Sequence, residues 1–583
     1  MIRPPSSAAF QGQSFRVAVL IVFALTIVRL VGLRLSTVDL FIDESQYWSW
    51  SRELALGYFS KPPLLAWLIA AAEHLCGPSE ACIRAPAPLM SLATSLLAYA
   101  IGRALYDART GFWAATLTAF GTGTVFSARI ISTDVPLVLF WALALFAYVR
   151  LLQKAGRRWA VVLGIALGAG LLAKYAMIYF LPGLILAALF EKQARALLVK
   201  PELWLALGLA VITVSPNILW NAANGFLTLR HAGGNVIGEP IEPSVIRPLE
   251  FLAAQFAVFG PVVFGLAVVA IMLLACRAIA HGMALSLLPS PLWGGVGGGG
   301  RETRRSIVTT SRPPTPTLPQ PKPRIRGFRP LDKVIEIGNS RFRLGGGRRG
   351  HRAACDNPVG STLLSPADHI LLGFALPPLI VVTGTASMVH AYANWAAAAF
   401  IPLAVLAAAI LVQRNLWILL WGSFALGLMA QIAFISADAF ASRIRLPFFS
   451  TPNPYFRTLG WNGYGRTVGQ LARKLAVSTI ASDTRAEVAS LLYYWRDQPE
   501  QILAWPTADL PNFDLTRGLT AAAPHPVLFV SQCPAADRLE KYYASVTPLG
   551  IFASDDPTPR GFAAFKVEQP RGPIGPLAEC RPG

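Results

Sequence analysis

The stretch FIDESQYWSWSRELALGYFSKPPLLAWLI, Phe41–Ile69, decides how the rest of the chain is read. It follows a first apolar run near residues 15–34 and lies outside any long hydrophobic segment. It offers two adjacent carboxylates, Asp43 and Glu44, then an aromatic-rich amphipathic run with Tyr47, Trp48 and Trp50. Rings of this kind gather at membrane interfaces. Asp43, with Gln46 three residues on, reads as a capping box at the start of a helix. Capping does not exclude chemistry, since one carboxyl oxygen can cap while the other faces a cleft. Lys61 stands against Pro62–Pro63; the bland reading is a snorkelling lysine. The stiff proline pair would instead hold its ammonium in place, where it suits a phosphate.

Outward from this stretch the composition is that of a membrane protein. The 583 residues are 54% hydrophobic and 14% charged, whereas soluble domains average about 25% charged. A spanning helix needs about 20 apolar residues. Such runs lie near 15–34, 85–104, 111–130, 133–151, 159–173, 175–190, 202–220, 251–276, 369–387, 394–412 and 415–436. The pattern predicts a polytopic α-helical membrane protein with about 11–13 transmembrane helices. No small-residue cleavage site follows the first run, so it reads as a retained anchor.

The net charge of +20 first suggests nucleic acid, but its distribution points elsewhere. Between Arg277 and Pro366 there are 15 Lys/Arg against 4 Asp/Glu, so +11 sits in one polar insert. Loops after the even-numbered spans are basic, which places them in the cytoplasm. The loop 35–83 holds six acidic and two basic side chains and falls on the opposite, periplasmic face. The N-terminal module is expected over 1–283 and a basic Gly/Pro/Arg-rich insert, disordered and cytoplasmic, over 284–362. The last transmembrane helices fill 363–440, and a small periplasmic α/β domain fills 441–583. In that domain STIASD, PVLFVSQ and GFAAFKV read as strands, and TRAEVASLLYYWRD and AADRLEKYYASV as helices. That domain carries no GxGxxG or P-loop signature. Cys76 and Cys82 in the first loop, with Cys533 and Cys580 in the C-terminal domain, could form two disulfides in an oxidising compartment; the alternative is free, buried thiols.

The predicted outer turns also collect Asp134, Arg129, Lys174, Tyr175, His231, His390 and Asn394. Asp134 reads either as a helix cap ahead of Pro136 or as a functional group at the edge of an apolar bundle. Each histidine is more often structural than catalytic. Acids, lysines and aromatic groups at one membrane edge suit an amphiphilic, anionic substrate.

Taken together, DESQYW, GYFSKPPLLAWL, RIISTDVPLVLFWALALFAY, PNILWNAANGF and HAYANWA resemble the family 39 glycosyltransferases of the GT-C type. That family includes bacterial aminoarabinose–lipid A transferases and protein O-mannosyltransferases. The resemblance implies a GT-C-like fold and an inverting transfer from a polyprenyl-phosphate sugar to an envelope acceptor. Lipid A, lipopolysaccharide core, another glycan or a protein would serve as that acceptor, outside the inner membrane. It implies catalytic roles for Asp43, Glu44 and Asp134, with Asp43 and Asp134 as ligands should a divalent metal take part. Lys61, Arg129 and Lys174 would meet the donor phosphate, and Tyr58, Tyr175 and His231 the substrate. Membrane lipids surround the chain, which is expected to act as a monomer without nucleic acid. The rival readings are a lipid or sugar transporter (flippase), which would show inverted repeats, and a non-catalytic envelope scaffold.

Overall fold

The computed structural model describes residues 8–237, 242–286, 364–445, 453–506, 512–554 and 558–577. Of the insert predicted at 284–362, residues 284–286 end the helix Pro261–Ser286 and the rest lies outside the described residues. The site described below belongs to one compact unit made of Met1–Ile271 and Thr362–Gly583.

Among the described residues seven helices are long and apolar enough to cross a membrane: Gly12–Leu35, Glu80–Leu105, Asp134–Leu152, Pro201–Ala223, Pro366–Ala386, Ala393–Gln413 and Trp417–Ala439. Shorter apolar helices occupy Leu64–Cys76, Arg158–Ala173, Tyr175–Phe190 and Pro261–Cys276. Their starts are written in the sequence. Pro201 and Pro366 open helices, where a missing N–H costs nothing. Ser365 accepts from Asp368 N–H while Asp368 accepts from Ser365 N–H, a reciprocal cap.

Two predicted spans are each broken in two. The run at 111–130 becomes Ala108–Phe120 and Thr122–Ser127. The run at 251–276 becomes Ile246–Val258 and Pro261–Ser286, separated by Gly260 at φ +86°. Hydropathy averages over such breaks because both flanks are apolar. Lys174, at φ −159°, likewise interrupts the apolar run between Ala173 and Tyr175.

The C-terminal region is α/β. Strands β1 (Thr479–Ser482), β2 (Gln501–Ala504), β3 (Val527–Ser531), β4 (Tyr543–Ala553) and β5 (Gly561–Pro570) form one sheet in the order β2-β1-β3-β5-β4. β1 runs parallel to β2 and β3, while β5 is antiparallel to β3 and β4. Alternation on β3 serves two cores. Leu528 and Val530 face the helices Trp461–Lys474 and Arg485–Tyr494, and Val527 and Phe529 face Trp505, Tyr543 and Phe565. The three predicted strands coincide with β1, β3 and β5. AADRLEKYYASV does not form the predicted helix: a short turn of helix at Asp537–Glu540 gives way to β4. Tyr543 there is fully buried against the sheet core, so tertiary packing overrides the local helical spacing.

Candidate active site

The first-loop helix runs Ile42–Ser51 and begins two residues earlier than a cap at Asp43 requires. Glu44, rather than Asp43, closes its first turn, accepting from Phe41 N–H at 2.9 Å. Glu44 also accepts from Ile131 N–H at 2.9 Å and forms an ion pair with Arg84 at 2.7 Å, with both side chains almost wholly buried. Arg84 donates onward to the carbonyls of Val38 and Asp39. Both Glu44 oxygens are therefore engaged, and the carboxylate ties the first loop to the turn before Asp134. Gln46, the other half of the expected box, instead accepts from Arg485 Nη1 at 2.6 Å.

Asp43 sits beside Glu44 but half exposed. Its Oδ1 pairs with Arg485 Nη1 at 2.8 Å. Arg485 opens the Arg485–Tyr494 helix of the α/β region, and that helix is seated on the first loop. Tyr494 hydroxyl donates to Glu80 at 2.6 Å and accepts from Leu40 N–H at 2.7 Å. Tyr493 donates to the Pro78 carbonyl and packs edge-on against Trp48.

Lys61 is placed by a stitched loop. A turn closes through Tyr58 N–H to the Lys61 carbonyl, 3.2 Å. Asn217 Nδ2 donates to the Leu56 carbonyl and Thr228 Oγ1 to the Tyr58 carbonyl. Gly57 permits this closeness: a Cβ there would lie 2.4 Å from Trp220. Tyr175 hydroxyl donates to Asn217 and accepts from Asn221, so it braces the same loop. The Tyr58 ring stacks on Trp50 at 4.6 Å and its hydroxyl bonds to loop carbonyls. Among the described residues Lys61 Nζ has no hydrogen-bond or ion-pair partner. Burial, then the charge of Lys174, pushes its ammonium below the ordinary lysine value, against the pull of Asp43 and Asp134. His231, edge-on to Phe59, is pushed down to about 4 by burial and by the charges of Lys61 and Arg485.

Asp134 is nearly buried. Its Oδ1 accepts from Lys174 Nζ at 2.6 Å and its Oδ2 from Asn394 Nδ2 at 2.7 Å. Beside it an open cavity of about 580 Å³ carries Ser91, Thr94 and Asn394 on its polar part and Val138, Val258 and Phe400 on its apolar part. Arg129 stands apart from Lys61: it chelates Asp438, which also accepts from Tyr455 hydroxyl at 2.8 Å, and it lies over the Phe434 ring.

Asp43, Asp134, Lys61, Lys174 and His231 thus share one electrostatic neighbourhood. Arg129 and Tyr58 are bound into its walls. Sequence reasoning missed Arg485, Gln46, Asn217 and Thr228 as parts of it. PNILWNAANGF carried a signal for Asn217; an arginine about 440 positions from its partner had none. For a divalent metal the fit is poor. No group of three or more His, Cys, Asp and Glu side chains converges among the described residues. Asp43 and Asp134 each already face a cation, and an amide N–H occupies the second oxygen of Asp134. Cys76 and Cys82 form a disulfide. Cys533 is disulfide-bonded too, and Cys580 lies outside the described residues.

Residues 60–220 match the family of dolichyl-phosphate-mannose-protein mannosyltransferases. The lipid A galacturonosyltransferase RgtD of Rhizobium johnstonii is 27% identical over 503 residues, which cover 85% of this chain and 86% of that protein. The lipopolysaccharide core galacturonosyltransferase RgtB of the same organism is 25% identical over 249 residues, 40% of this chain and 50% of that protein. In fold, the chain is similar to the apo structure of ArnT from Cupriavidus metallidurans, with a TM-score of 0.55, 13% identity, and 96% of this chain and 98% of that chain covered.

Proposed function

The chain fits a GT-C type, family 39-like membrane glycosyltransferase, and we propose that it moves a sugar from a polyprenyl-phosphate donor to a lipid A-type envelope acceptor. The transferred group, on the names of its relatives, is a galacturonosyl residue. Transfer takes place on the periplasmic face of the inner membrane, which the basic even-numbered loops favour. The transporter reading has no support from the comparisons.

The observation that carries this reading is the half-buried ammonium of Lys61, which has no hydrogen-bond or ion-pair partner among the described residues, within the field of Asp43 and Asp134. An amine held there without a counter-ion is a site for an incoming anion. The acceptor oxygen attacks the anomeric carbon from the face opposite the leaving group. A bond forms from that oxygen to carbon as the bond from carbon to the phosphate oxygen breaks, with inversion. The polyprenyl phosphate leaves with added negative charge, which Lys61 stabilises. The proton of a hydroxyl acceptor passes to Asp43, whose Oδ2 makes no hydrogen bond among the described residues; such a base contributes about 10²–10⁴-fold. An ionised phosphate acceptor would need no base. Lys174 and Asn394 hold Asp134 at the cavity wall, and Glu44 positions the helix that carries Asp43. No step is routed through a metal.

Purified protein, incubated with a labelled polyprenyl-phosphate sugar and lipid A, should form glycosylated acceptor. Lys61→Ala should lower kcat by about 10²–10³-fold, as removal of a charge-stabilising donor does elsewhere. Lipid translocation without product would replace the transferase reading with a flippase, and near-normal transfer by the variant would remove Lys61 from the phosphate site.

A further inference from the structure

We propose that Arg485, reaching in from the C-terminal α/β region, selects an acidic sugar by binding the carboxylate of a uronosyl donor. This rests on the transferase reading above and names the residue that sets its sugar specificity.

Four observations converge on it. First, the guanidinium is only partly used. Nη1 pairs with Asp43 and donates to Gln46, while Nη2 and Nε make no hydrogen bond among the described residues. The side chain is 42% exposed, so this free edge is open to a ligand. Second, its place is fixed. Tyr493 and Tyr494, at the far end of its helix, anchor that helix to the first loop through Pro78, Glu80 and Leu40. Third, it shares the site: its charge is felt by both Lys61 and His231. Fourth, the other cations there are spoken for. Lys174 is bound to Asp134 and Arg129 to Asp438.

Two cations with bonding capacity to spare among the described residues, Lys61 and Arg485, therefore share one electrostatic neighbourhood. A neutral sugar on a polyprenyl phosphate brings one anionic group to such a site. A uronosyl donor brings two, the phosphate and the sugar carboxylate. The types divide the work: a lysine is a point charge that suits a phosphate oxygen, whereas the planar guanidinium edge matches the two oxygens of a carboxylate. Asp43 and Gln46, both on one nitrogen, orient that edge and partly offset the charge. The same edge has a second possible anion, the donor phosphate itself, and the test separates the two.

The test compares kcat/KM for polyprenyl-phosphate galacturonate and polyprenyl-phosphate galactose in the wild type, Arg485→Gln and Arg485→Lys. Wild type should favour the uronosyl donor by about 10²-fold or more, the scale set by a charged hydrogen-bonding group left without its partner. Arg485→Gln should reduce that preference to below about 10-fold, chiefly through the KM of the uronosyl donor, and Arg485→Lys should restore part of it. Equal losses with both donors would overturn the proposal, because they assign Arg485 to the phosphate or to the orientation of Asp43. Should the variants fail to fold, wild-type protein decides alone. Galacturonic acid 1-phosphate should bind at least about 10-fold more tightly than galactose 1-phosphate, and equal binding overturns the idea. Wild type inactive with both donors would instead strike the transferase reading, and this one with it.

Discussion

Asp43 and Glu44 are consecutive residues on one helix, each paired with an arginine, and they do opposite things. Glu44 and Arg84 are sealed in protein, with 2% and 3% of their side chains exposed, and every strong bonding position of the carboxylate is taken. Asp43 and Arg485 are about 40% exposed, and each keeps bonding capacity free among the described residues. Successive helical positions project about 100° apart, so one turn can offer one acid to the core and the next to a substrate. Sequence adjacency here reflects an anchor beside a working group, and exposure distinguishes them.

Breaking the anchor should have the largest effect. Glu44→Ala leaves Arg84 buried without its counter-charge, which costs about 3–5 kcal/mol, and frees the Ile131 and Phe41 amides as well. The expected outcome is loss of folded protein, read as a fall in the thermal midpoint and in monodisperse yield. Asp43→Asn should leave that midpoint within a few degrees while transfer to a hydroxyl acceptor falls by about 10²–10⁴-fold. Matching losses of folding in both variants would erase the distinction. An active, stable Glu44→Ala protein would reverse it.

A third buried carboxylate sharpens the comparison. Glu487, two residues after Arg485, has no arginine. It accepts from Ser482 hydroxyl at 2.5 Å, and its Oε1 makes no hydrogen bond of good geometry among the described residues. Burial, reinforced by Asp483, raises its carboxyl from the ordinary 4.5 to about 7. The sign follows from proton binding. Between pH 4.5 and 7 the folded chain holds a proton that the unfolded chain has released, so stability present below 4.5 is lost as pH rises through 7. The swing is roughly 3 kcal/mol at the conversion of about 1.4 kcal/mol per pH unit. The protection free energy from hydrogen exchange in the Arg485–Tyr494 helix, corrected for the intrinsic base-catalysed rate, should therefore fall between pH 5 and 8, and Glu487→Gln should flatten that dependence. A flat wild-type profile would mean that Glu487 is ionised throughout, despite its burial.

What was legible in the sequence follows the range of the forces involved. Apolar runs announce helices because burial in lipid acts on each segment by itself, so all eleven runs reappear as helix even where Gly260 or the turn at Gly121 divides them. Lys61 and Asp134 were visible because a charge among apolar neighbours is costly wherever the chain goes. The identity of the capping glutamate was not, since it depends on whether the helix starts at Ile42 or Glu44, a choice settled by Arg84 and Ile131 from elsewhere in the chain. Arg485 was invisible for the same reason. Its partner is fixed only by docking of the α/β region, and docking leaves no periodic trace. β4 shows the limit from the other side: KYYASV has helical spacing, yet pairing with β5 decides its conformation.

The smallest predicted effect concerns that docking. Tyr494 hydroxyl joins Glu80 and the Leu40 amide, both from the first loop, to the helix that carries Arg485. Tyr494→Phe keeps the ring and removes only this bridge, so the amide and the carboxylate each lose a partner at a cost of about 1–2 kcal/mol. The first loop remains anchored through Glu44 and Arg84, so the fold should persist with a modest fall in midpoint. What should change is the seat of Arg485, about two and a half helical turns away at 3.6 residues per turn. If the α/β region helps to form the site, KM for the acidic donor should rise several-fold while kcat, set by Asp43 and Lys61, stays within about twofold. If the helix only braces the first loop, the two donors should lose affinity alike. The variant therefore separates a domain that supplies a ligand from one that supplies support, at a position that touches no substrate.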